Sequence, residues 1–256
     1  MKVGVLIPNY NDAPYIAEAI QCVLDQTRRP DEFIVVDDAS TDNSVEIISG
    51  FEGLRGLRLC RAVMNNGVIK TVNAALADMT CDAVVILSAN DILYSDFLAK
   101  SELALDAAPK AAFSCSNPVY FTGASKGATF LTSDVAPSSG YYGPNAISQI
   151  IQRGEFRLSA LSGLIRRDLL LGIGGLHEPA KWHSDWLAWH LLALRHGCAA
   201  IRENLAATRM IEGSYYHKGR NGPENEAAVK AVGEFLSRPE CVREKWKFEV
   251  YGLRAA

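Results

Sequence analysis

The chain has 256 residues, of which 48% are hydrophobic and 21% charged, with a formal net charge of -3. This balance excludes an intrinsically disordered chain and argues against a general nucleic-acid binder, which would carry a basic excess. The longest apolar runs have the length of a strand and fall far short of the ~20 residues that cross a bilayer. Because the chain begins directly with a strand-like run, we expect no secretory signal. We interpret the scattered cysteines as reduced and mostly buried thiols.

The first hundred or so residues alternate short apolar runs with segments of helical periodicity. Apolar runs at residues 3–7, 33–36, 57–60, 83–87 and 112–115 predict strands buried in a sheet. The predicted helices between them cover residues 12–24, 43–50, 68–77 and 96–108. This alternation favours a parallel sheet with helices on both faces.

Two of these helices carry capping signals at their first turns. Asp12 is placed to cap the first helix. Asn43 with Glu46 three residues later matches a capping box, and we assign Thr41 and Asp42 beside it to the same capping.

The second half of the chain is less regular. Residues 119–144 are rich in Gly, Ser, Pro and Tyr, and they predict a long loop or a hairpin excursion. Residues 161–170 predict a strand that enters a short helix. Residues 185–195 predict a helix stopped by Gly197, and residues 223–236 predict a last helix.

Polar residues follow three of the predicted strands directly. They lie at residues 9–11, 37–38 and 90–91. In open parallel sheets, ligands bind outside the carboxyl ends of the strands. We therefore expect a polar ligand site at this edge of the sheet.

The order of these motifs resembles that of family-2 glycosyltransferases of the GT-A fold. The resemblance is close over residues 2–110 and weaker at Gly174, Gly175 and residues 184–186. It implies an α/β fold with a Rossmann-like, mostly parallel central sheet and helices on both faces. It also implies one domain over residues 1–256, in which residues 1–117 bind a nucleotide sugar and residues 118–256 bind the acceptor. The segments that carry it are residues 5–11, 23–27 and 34–44, Asn66 with Gly67, Asn73, and the strand that leads to Asn90 and Asp91.

The resemblance implies an inverting glycosyltransferase. Such an enzyme moves a sugar from a nucleotide-diphosphate donor, here expected to be a UDP-sugar, to an acceptor hydroxyl in polysaccharide or glycoconjugate synthesis. The expected partners are this donor and a glycan or lipid-linked acceptor, with no nucleic acid. We expect a cytoplasmic protein, peripheral to the inner face of the membrane if the basic and aromatic tail at residues 245–251 touches lipid. Helix packing is the simpler interpretation of that tail.

By resemblance, the donor site includes Pro8 and Tyr10, which flank the base, with Tyr10 as a stacking face. Asp38 is expected to bond the base, and Asn73 to contact the donor. The alternatives are a surface tyrosine for Tyr10 and a solvated turn for Asp38. The family often has an Arg directly before this Asn, and in this sequence the position is occupied by Val72.

The predicted metal site departs from the family pattern. The family usually places an acid to grip a divalent metal, Mn²⁺ or Mg²⁺, that bridges the donor phosphates. Asn90 stands at that position here, and Ser88 replaces another usual acid, so only Asp91 remains. An amide oxygen can bind a hard cation, but without the charge that makes binding tight. We predict Asn90 and Asp91 as donor contacts, and Asp91 and His217 as metal ligands. A turn residue and a loop residue are the alternatives for Asp91 and His217.

The weakened metal site leaves the charge of the departing diphosphate to be neutralised by other groups. Arg209, Lys218 and Arg220 are candidates for this task, and a solvated basic surface is the alternative. Lys70 is a candidate donor contact in place of the absent Arg, and a solvated lysine is its alternative.

Residues 181–186 resemble the segment that carries the catalytic base. An inverting transfer is one displacement with an oxocarbenium-like transition state. A carboxylate then takes the proton of the acceptor hydroxyl. Asp185 is the predicted base, with helix capping by Ser184 or Asp185 as a compatible role. His183 is the rival base. Trp182 and Trp186 either stack on sugars or belong to the core.

Two other functions stay open. The replaced acid at Asn90 is consistent with a non-catalytic nucleotide-sugar or glycan-binding protein that has a degraded metal motif. A sugar-nucleotide pyrophosphorylase shares this type of sheet. Such an enzyme requires a Gly-rich basic loop at the position of residues 8–11. These residues contain no Gly and no basic side chain, so we rank this function last.

Overall fold

The computed structural model describes residues 1–124 and 130–250, and its first hundred residues contain the predicted elements in the predicted order. The strands are β1 (Val3–Asn9), β2 (Glu32–Asp37), β3 (Leu57–Arg61), β4 (Ala83–Ile86), β5 (Ile92–Leu93), β6 (Phe113–Ser116), β7 (Val119–Phe121), β8 (Phe130–Thr132), β9 (Gly140–Tyr142), β10 (Gly163–Arg166), β11 (Cys198–Ile201) and β12 (Ala206–Arg209). The α-helices are α1 (Ile16–Leu24), α2 (Ser44–Ser49), α3 (Val68–Asp78), α4 (Phe97–Ala107), α5 (Pro144–Gln152), α6 (Arg167–Gly172), α7 (Ser184–His196), α8 (Tyr215–Arg220), α9 (Asn225–Leu236) and α10 (Val242–Val250). A 3₁₀ segment, Glu178–His183, leads into α7.

The large sheet has the strand order β3-β2-β1-β4-β10-β6-β11-β9. β1 to β4 are mutually parallel, and β11 is parallel to β6. β10 runs antiparallel to both β4 and β6, so β6 keeps the direction of β4. β9 is antiparallel to β11. The prediction of a mostly parallel central sheet is confirmed. A smaller sheet has the order β5-β12-β7-β8.

The large sheet separates two hydrophobic cores. Side chains of one strand alternate between them, so Leu6 packs with α3 and α7 on one face while Val5 and Ile7 pack with α1 and α4 on the other. Strands buried on both faces require apolar residues at nearly every position, which explains the unbroken apolar runs. Helices therefore cover both faces, as predicted. All six cysteines are free thiols, and four of them are buried.

The segment predicted as a loop or hairpin, residues 119–144, forms strands. β7 and β8 pair as an antiparallel hairpin in the small sheet, and β9 joins the large sheet beside β11. The hairpin alternative is therefore the correct one, and the structureless alternative is wrong. Residues 125–129 lie outside the described part of the chain.

The side chains of Asp12 and Asn43 do not cap α1 and α2 as predicted. α1 begins at Ile16, and it is the backbone carbonyl of Asp12 that accepts from Ile16 N, at 2.9 Å. Asn43 precedes α2 with φ -85° and ψ 15°, near helical values rather than in the extended conformation that lets a cap side chain reach back. The carboxylate of Asp42, which we assign to the same capping from the sequence, accepts from Ser44 N at 3.0 Å.

The tail of the chain packs on the protein. Phe248 in α10 is buried, and its ring centroid lies 5.6 Å from that of Trp186. This favours helix packing for the described part of the tail, while the side chain of Trp246 and all of Tyr251 lie outside the described residues. None of the described helices combines the length and the hydropathy that a bilayer crossing requires.

Candidate active site

Polar residues at the ends of β1 and β2 and directly after β4 lie at one edge of the large sheet, because these strands are parallel neighbours. Asn9 Nδ2 donates to Asp37 Oδ1 at 2.7 Å, and Ser40 Oγ donates to the same oxygen at 2.5 Å. These bonds hold the turn after β2, where Ala39 has a positive φ of 61°. Asn9 Oδ1 is buried and has no hydrogen-bond partner among the described residues, so it is an acceptor that a ligand at this edge can use.

Asp38 ties the end of β2 to the start of α3. Its two carboxylate oxygens accept from Asn66 N at 2.9 Å and from Gly67 N at 2.8 Å. Gly67 has a φ of 86°, which favours glycine at this turn. Each carboxylate oxygen keeps a second lone pair, so a base can still be bonded here. Tyr10 is 46% exposed beside this turn and leaves its ring open to stacking.

Asn73 joins α3 to the segment that leads to α7. Its Nδ2 donates to Leu176 O and its Oδ1 accepts from Leu176 N, both at 2.8 Å. Gly175 must be glycine, since a Cβ there would lie 2.5 Å from Asn73 Oδ1. Lys70 Nζ pairs with Glu178 Oε1 at 3.1 Å on the surface. Lys70 and Asn73 thus connect the donor-side helix to the segment before α7, and donor contact by Asn73 stays a prediction.

Asp91 is buried and bonded by the protein. Its Oδ1 accepts from Arg209 N at 2.7 Å, and the Ser88 hydroxyl donates to its carboxylate. Burial, with a smaller contribution from the charge of Asp12, raises the pKa of Asp91 to about 7.

Arg209 is a structural cation rather than a ligand for the departing diphosphate. It is 6% exposed. Its guanidinium donates to Asn90 O at 2.9 Å, to Gly123 O, and to the carboxylate of Glu18. It also lies over the ring of Phe121, 4.5 Å from the centroid. The assignment of Arg209 to the diphosphate is therefore wrong. Arg220 is exposed, and the Lys218 side chain lies outside the described part.

Asp12 belongs to the same acidic edge, although the sequence interpretation gave it only a capping role. Burial and the neighbouring charge of Asp42 together raise its pKa to about 6. The charge of Asp12 also raises the pKa of Asp91, so the two carboxyl groups are close enough to interact electrostatically.

Asp185 lies in the first turn of α7. Its Oδ1 accepts from Trp186 N at 2.6 Å. The residue as a whole is exposed, but the atoms around its carboxyl group exclude enough water to raise the pKa of Asp185. The electrostatic effect of His183 lowers this pKa and is the smaller of the two. A carboxylate with a raised pKa is a stronger base near neutral pH.

His183 forms a buried network with Trp182 and Asn225 of α9. Asn225 Oδ1 lies 2.9 Å from Trp182 Nε1 and 2.8 Å from His183 Nε2. The indole N–H can only donate, and it lies 3.1 Å from His183 Nε2 as well as 2.9 Å from the amide oxygen. With the amide oxygen turned towards both rings, a proton on His183 Nε2 completes the pairing, because two facing acceptors would repel each other. The neutral imidazole therefore carries its lone pair on Nδ1, which is the nitrogen that can act as a base.

Helix α8 packs on the indole of Trp182. The ring of Tyr215 meets it edge-on at 5.8 Å between centroids, and Gly219 lies directly on it. A Cβ at Gly219 would lie 2.1 Å from Trp182 Cε3. Burial raises the pKa of Tyr215, and the charges of Glu224 and Asp185 add to this, so Tyr215 shares the surroundings of Asp185.

A model of the family described as "Glycosyl transferase family 2" matches residues 4–152 of this chain. The chain belongs to glycosyl transferase family 2. The matched part contains all three strand ends of the polar edge. It ends before Asp185.

Curated relatives agree with this family assignment. An uncharacterized glycosyltransferase of Nostoc sp. is 38% identical over 93 residues, which is 36% of this chain and 29% of that protein. An uncharacterized glycosyltransferase of Rickettsia felis is 26% identical over 213 residues, or 83% of this chain and 34% of that protein. The chain thus spans about a third of the length of these curated relatives.

Solved structures confirm the GT-A fold of this family member. Staphylococcus aureus TarS in complex with UDP-GlcNAc superposes with a TM-score of 0.76 at 17% identity, covering 99% of this chain and 72% of that one. A mannosyltransferase of Pyrobaculum calidifontis in complex with GDP-Man and Mn²⁺ superposes with a TM-score of 0.60 at 18% identity, covering 100% of this chain and 76% of that one.

The residues of this family member do not fit a metal centre built by the protein alone. Asn90 brings no charge, and the protein already bonds the carboxylate of Asp91. The His217 side chain is exposed. At the start of α8, the backbone N–H of His217 donates to Ser214 Oγ at 3.3 Å. Within residues 1–124 and 130–250, no three His, Cys, Asp or Glu side chains are grouped to hold a metal ion. Metal ligation by Asp91 and His217 stays a prediction.

The strand-end residues are brought together as the motif order predicts. The sequence interpretation missed Asn225, Tyr215 and Asp12 as members of the site. Asp12 follows the first polar strand end by three residues, and this signal was available in the sequence. Asn225 and Tyr215 join the site only through packing between α8, α9 and the segment before α7, which no local pattern reveals.

Proposed function

We propose that the chain is an inverting glycosyltransferase that moves a sugar from a UDP-sugar to an acceptor hydroxyl in polysaccharide or glycoconjugate synthesis. The observation that carries the proposal is the position of Asp185. This carboxyl group has a raised pKa and opens a helix whose approach segment is fastened to the donor-side helix α3 by Asn73.

On the donor side, Pro8, Tyr10 and Asp38 bind the base, and Asn73, Asn90 and Asp91 border the rest of the donor. TarS was solved with UDP-GlcNAc and with UDP, which supports the choice of a UDP-linked donor. Residues 1–117 supply this side and residues 118–256 the acceptor side, although β10 of the second half lies between β4 and β6 of the first.

On the acceptor side, Asp185 takes the proton of the acceptor hydroxyl as its oxygen attacks the anomeric carbon. One bond forms between this oxygen and the anomeric carbon, while the bond to the diphosphate breaks on the opposite face. The electron pair leaves with the nucleoside diphosphate, and the proton stays on Asp185. The acceptor is a glycan or a lipid-linked glycan, and we place the reaction in the cytoplasm at the inner face of the membrane.

The test is the release of nucleoside diphosphate from a panel of UDP-, GDP- and dTDP-sugars. Each donor is assayed with candidate acceptors, with Mn²⁺ or Mg²⁺ and with a chelator. The proposal predicts that UDP is released from a UDP-sugar only when an acceptor is present, and that the product has the inverted anomeric configuration. Retention of configuration contradicts the mechanism. Binding of UDP with no release from any donor would instead identify a non-catalytic nucleotide-sugar-binding protein. The metal and chelator arms decide whether Asp91 and His217 serve a metal.

A further inference from the structure

An open cavity of about 560 Å³ lies at the other end of the large sheet. Pro109 and Lys110 precede β6, and His196 precedes β11, so they stand at the amino ends of parallel strands. Arg166 ends the antiparallel strand β10, which brings it to the same edge. The polar edge with Asp38 and Asp91 lies at the carboxyl ends of the sheet, so the cavity is separate from the proposed donor site.

The cavity collects positive charge in a protein whose net charge is -3. Lys110, Arg166 and Arg195 line it, against one acid, Asp168. Burial and the charge of Arg195 lower the pKa of His196, which leaves it a neutral donor or acceptor at pH 7. A second acid, Glu244, pairs with Arg195 at 3.4 Å beside the cavity.

The two guanidinium groups are held in place by backbone carbonyls. Arg166 Nε donates to Ala111 O at 2.9 Å, and its Nη2 donates to Leu105 O at 3.2 Å. Arg195 Nη2 donates to Glu240 O at 2.6 Å. Each guanidinium has five N–H donors, so both keep donors for a ligand. The Lys110 ammonium is exposed, and it has no ion-pair partner within the described ranges.

One wall of the cavity is a fixed aromatic ring. Tyr141 Oη donates to His196 O at 3.0 Å, and the ring remains 43% exposed. Gly197 makes this arrangement possible, because a Cβ there would lie 2.2 Å from Tyr142 O and 3.0 Å from the Tyr141 ring. Tyr141 and Pro144 thus offer apolar surface next to the cations.

We propose that this cavity is a second ligand site that binds a phosphate ester of a sugar. A phosphate monoester carries nearly two negative charges at neutral pH and accepts hydrogen bonds from arginine forks. The sugar ring places its C–H face on Tyr141 and its hydroxyls near Asp168 and His196. The cavity volume lies within the range of small-molecule sites. The proposal does not depend on the transferase activity, because its test measures binding alone.

The experiment uses the full chain labelled with ¹⁵N, saturated with UDP to occupy the donor edge. Glucose 6-phosphate, inorganic phosphate and glucose are titrated separately while amide shifts are recorded. We expect glucose 6-phosphate to shift the amides of residues 110–111, 141–143 and 195–197, and to bind more tightly than inorganic phosphate and far more tightly than glucose. Lys110→Glu is expected to weaken binding about tenfold, because it reverses a charge at the site. Asp168→Asn is expected to tighten binding severalfold.

Lys230→Glu is the matched control, since it reverses an exposed lysine on α9 outside the cavity and should leave the affinity unchanged. Three results would overturn the proposal. They are the absence of shifts at millimolar glucose 6-phosphate, shifts confined to the carboxyl edge of the sheet, and equal affinities of the Lys110→Glu and Lys230→Glu proteins.

Discussion

The protonation of His183 depends on one amide oxygen. Asn225 Oδ1 accepts from both Trp182 and His183, and this pairing places the imidazole proton on Nε2. Nδ1 then carries the lone pair. A residue outside the family-matched part of the chain therefore determines which nitrogen of His183 can act on a proton.

The Asn225→Asp variant should keep the proton on Nε2, because a carboxylate accepts from both ring N–H groups. Its negative charge also favours the imidazolium form of His183, in which Nδ1 is protonated as well. Asn225→Ala removes the acceptor that both rings share and should cost about 1–3 kcal/mol of unfolding free energy. Nitrogen chemical shifts of His183 in the wild-type protein measure the tautomer. A spectrum showing protonated Nδ1 and bare Nε2 would contradict the assignment.

His190 in α7 provides a pH-dependent contribution to stability. It is buried, its Nδ1–H donates to Trp186 O at 2.8 Å, and burial lowers its pKa from 6.5 to about 4. Since the folded-state pKa is depressed, the stability from neutral His190 is fully present above pH 6.5. It is lost progressively as the pH falls through about 4.

We expect His190 to account for a loss on the order of 3 kcal/mol between these limits. Urea unfolding of wild type and His190→Gln at several pH values measures the difference. The variant should lack this part of the acid destabilisation. Parallel pH profiles of the two proteins would contradict the prediction.

At the scale of elements, Asn73 fastens α3 to the turn before α7. Asn73→Ala removes both hydrogen bonds to Leu176, whose backbone is left unpaired at a buried residue. We expect a loss of about 1–3 kcal/mol in urea unfolding. Lys70→Ala is the matched control, because its exposed pair with Glu178 should contribute only about 0–1 kcal/mol. Similar small losses in both variants would show that Asn73 does not hold these elements together.

The contact between α8 and Trp182 depends on the absence of a side chain at Gly219. Gly219→Ala should push α8 away from the indole and cost about 1–3 kcal/mol. Gly233→Ala in α9 is the control, since its Cβ meets nothing within 4 Å and alanine in a helix gains about 0.4–1 kcal/mol. Thermal unfolding of both variants compares them. A Gly219→Ala protein as stable as the Gly233→Ala protein would contradict this packing.

At the scale of the whole molecule, local patterns predict the elements but not all of their neighbours. Apolar runs and turn residues locate β1 to β4 and the helices between them, and strand direction then places Asp38 and Asp91 at one edge. Nothing local indicates that β10 inserts antiparallel between β4 and β6.

The candidate active site shows the same limit, because local patterns identify some of its residues but not the distant residues that pack against them. Asp185 is recognisable because it begins a helix in a familiar motif. From the sequence, Arg209 is predicted as a cation for the departing diphosphate, with a solvated surface as the alternative, yet it is buried against Asn90 and Glu18 from distant parts of the chain. Its role depends on long-range packing, and so does the bond between Trp182 and Asn225, which no periodicity encodes.

The most direct test of the account is the pH dependence of nucleoside diphosphate release by wild type and Asp185→Asn. Asparagine keeps an oxygen that can accept from Trp186 N, so the fold should persist, which circular dichroism and UDP binding check. The account predicts a fall of about 10²–10⁴-fold in kcat for the variant. It also predicts that the wild-type rate falls as the pH drops through the raised pKa of Asp185, and that the variant lacks this fall. Release that is unchanged by Asp185→Asn at every pH would contradict the central claim.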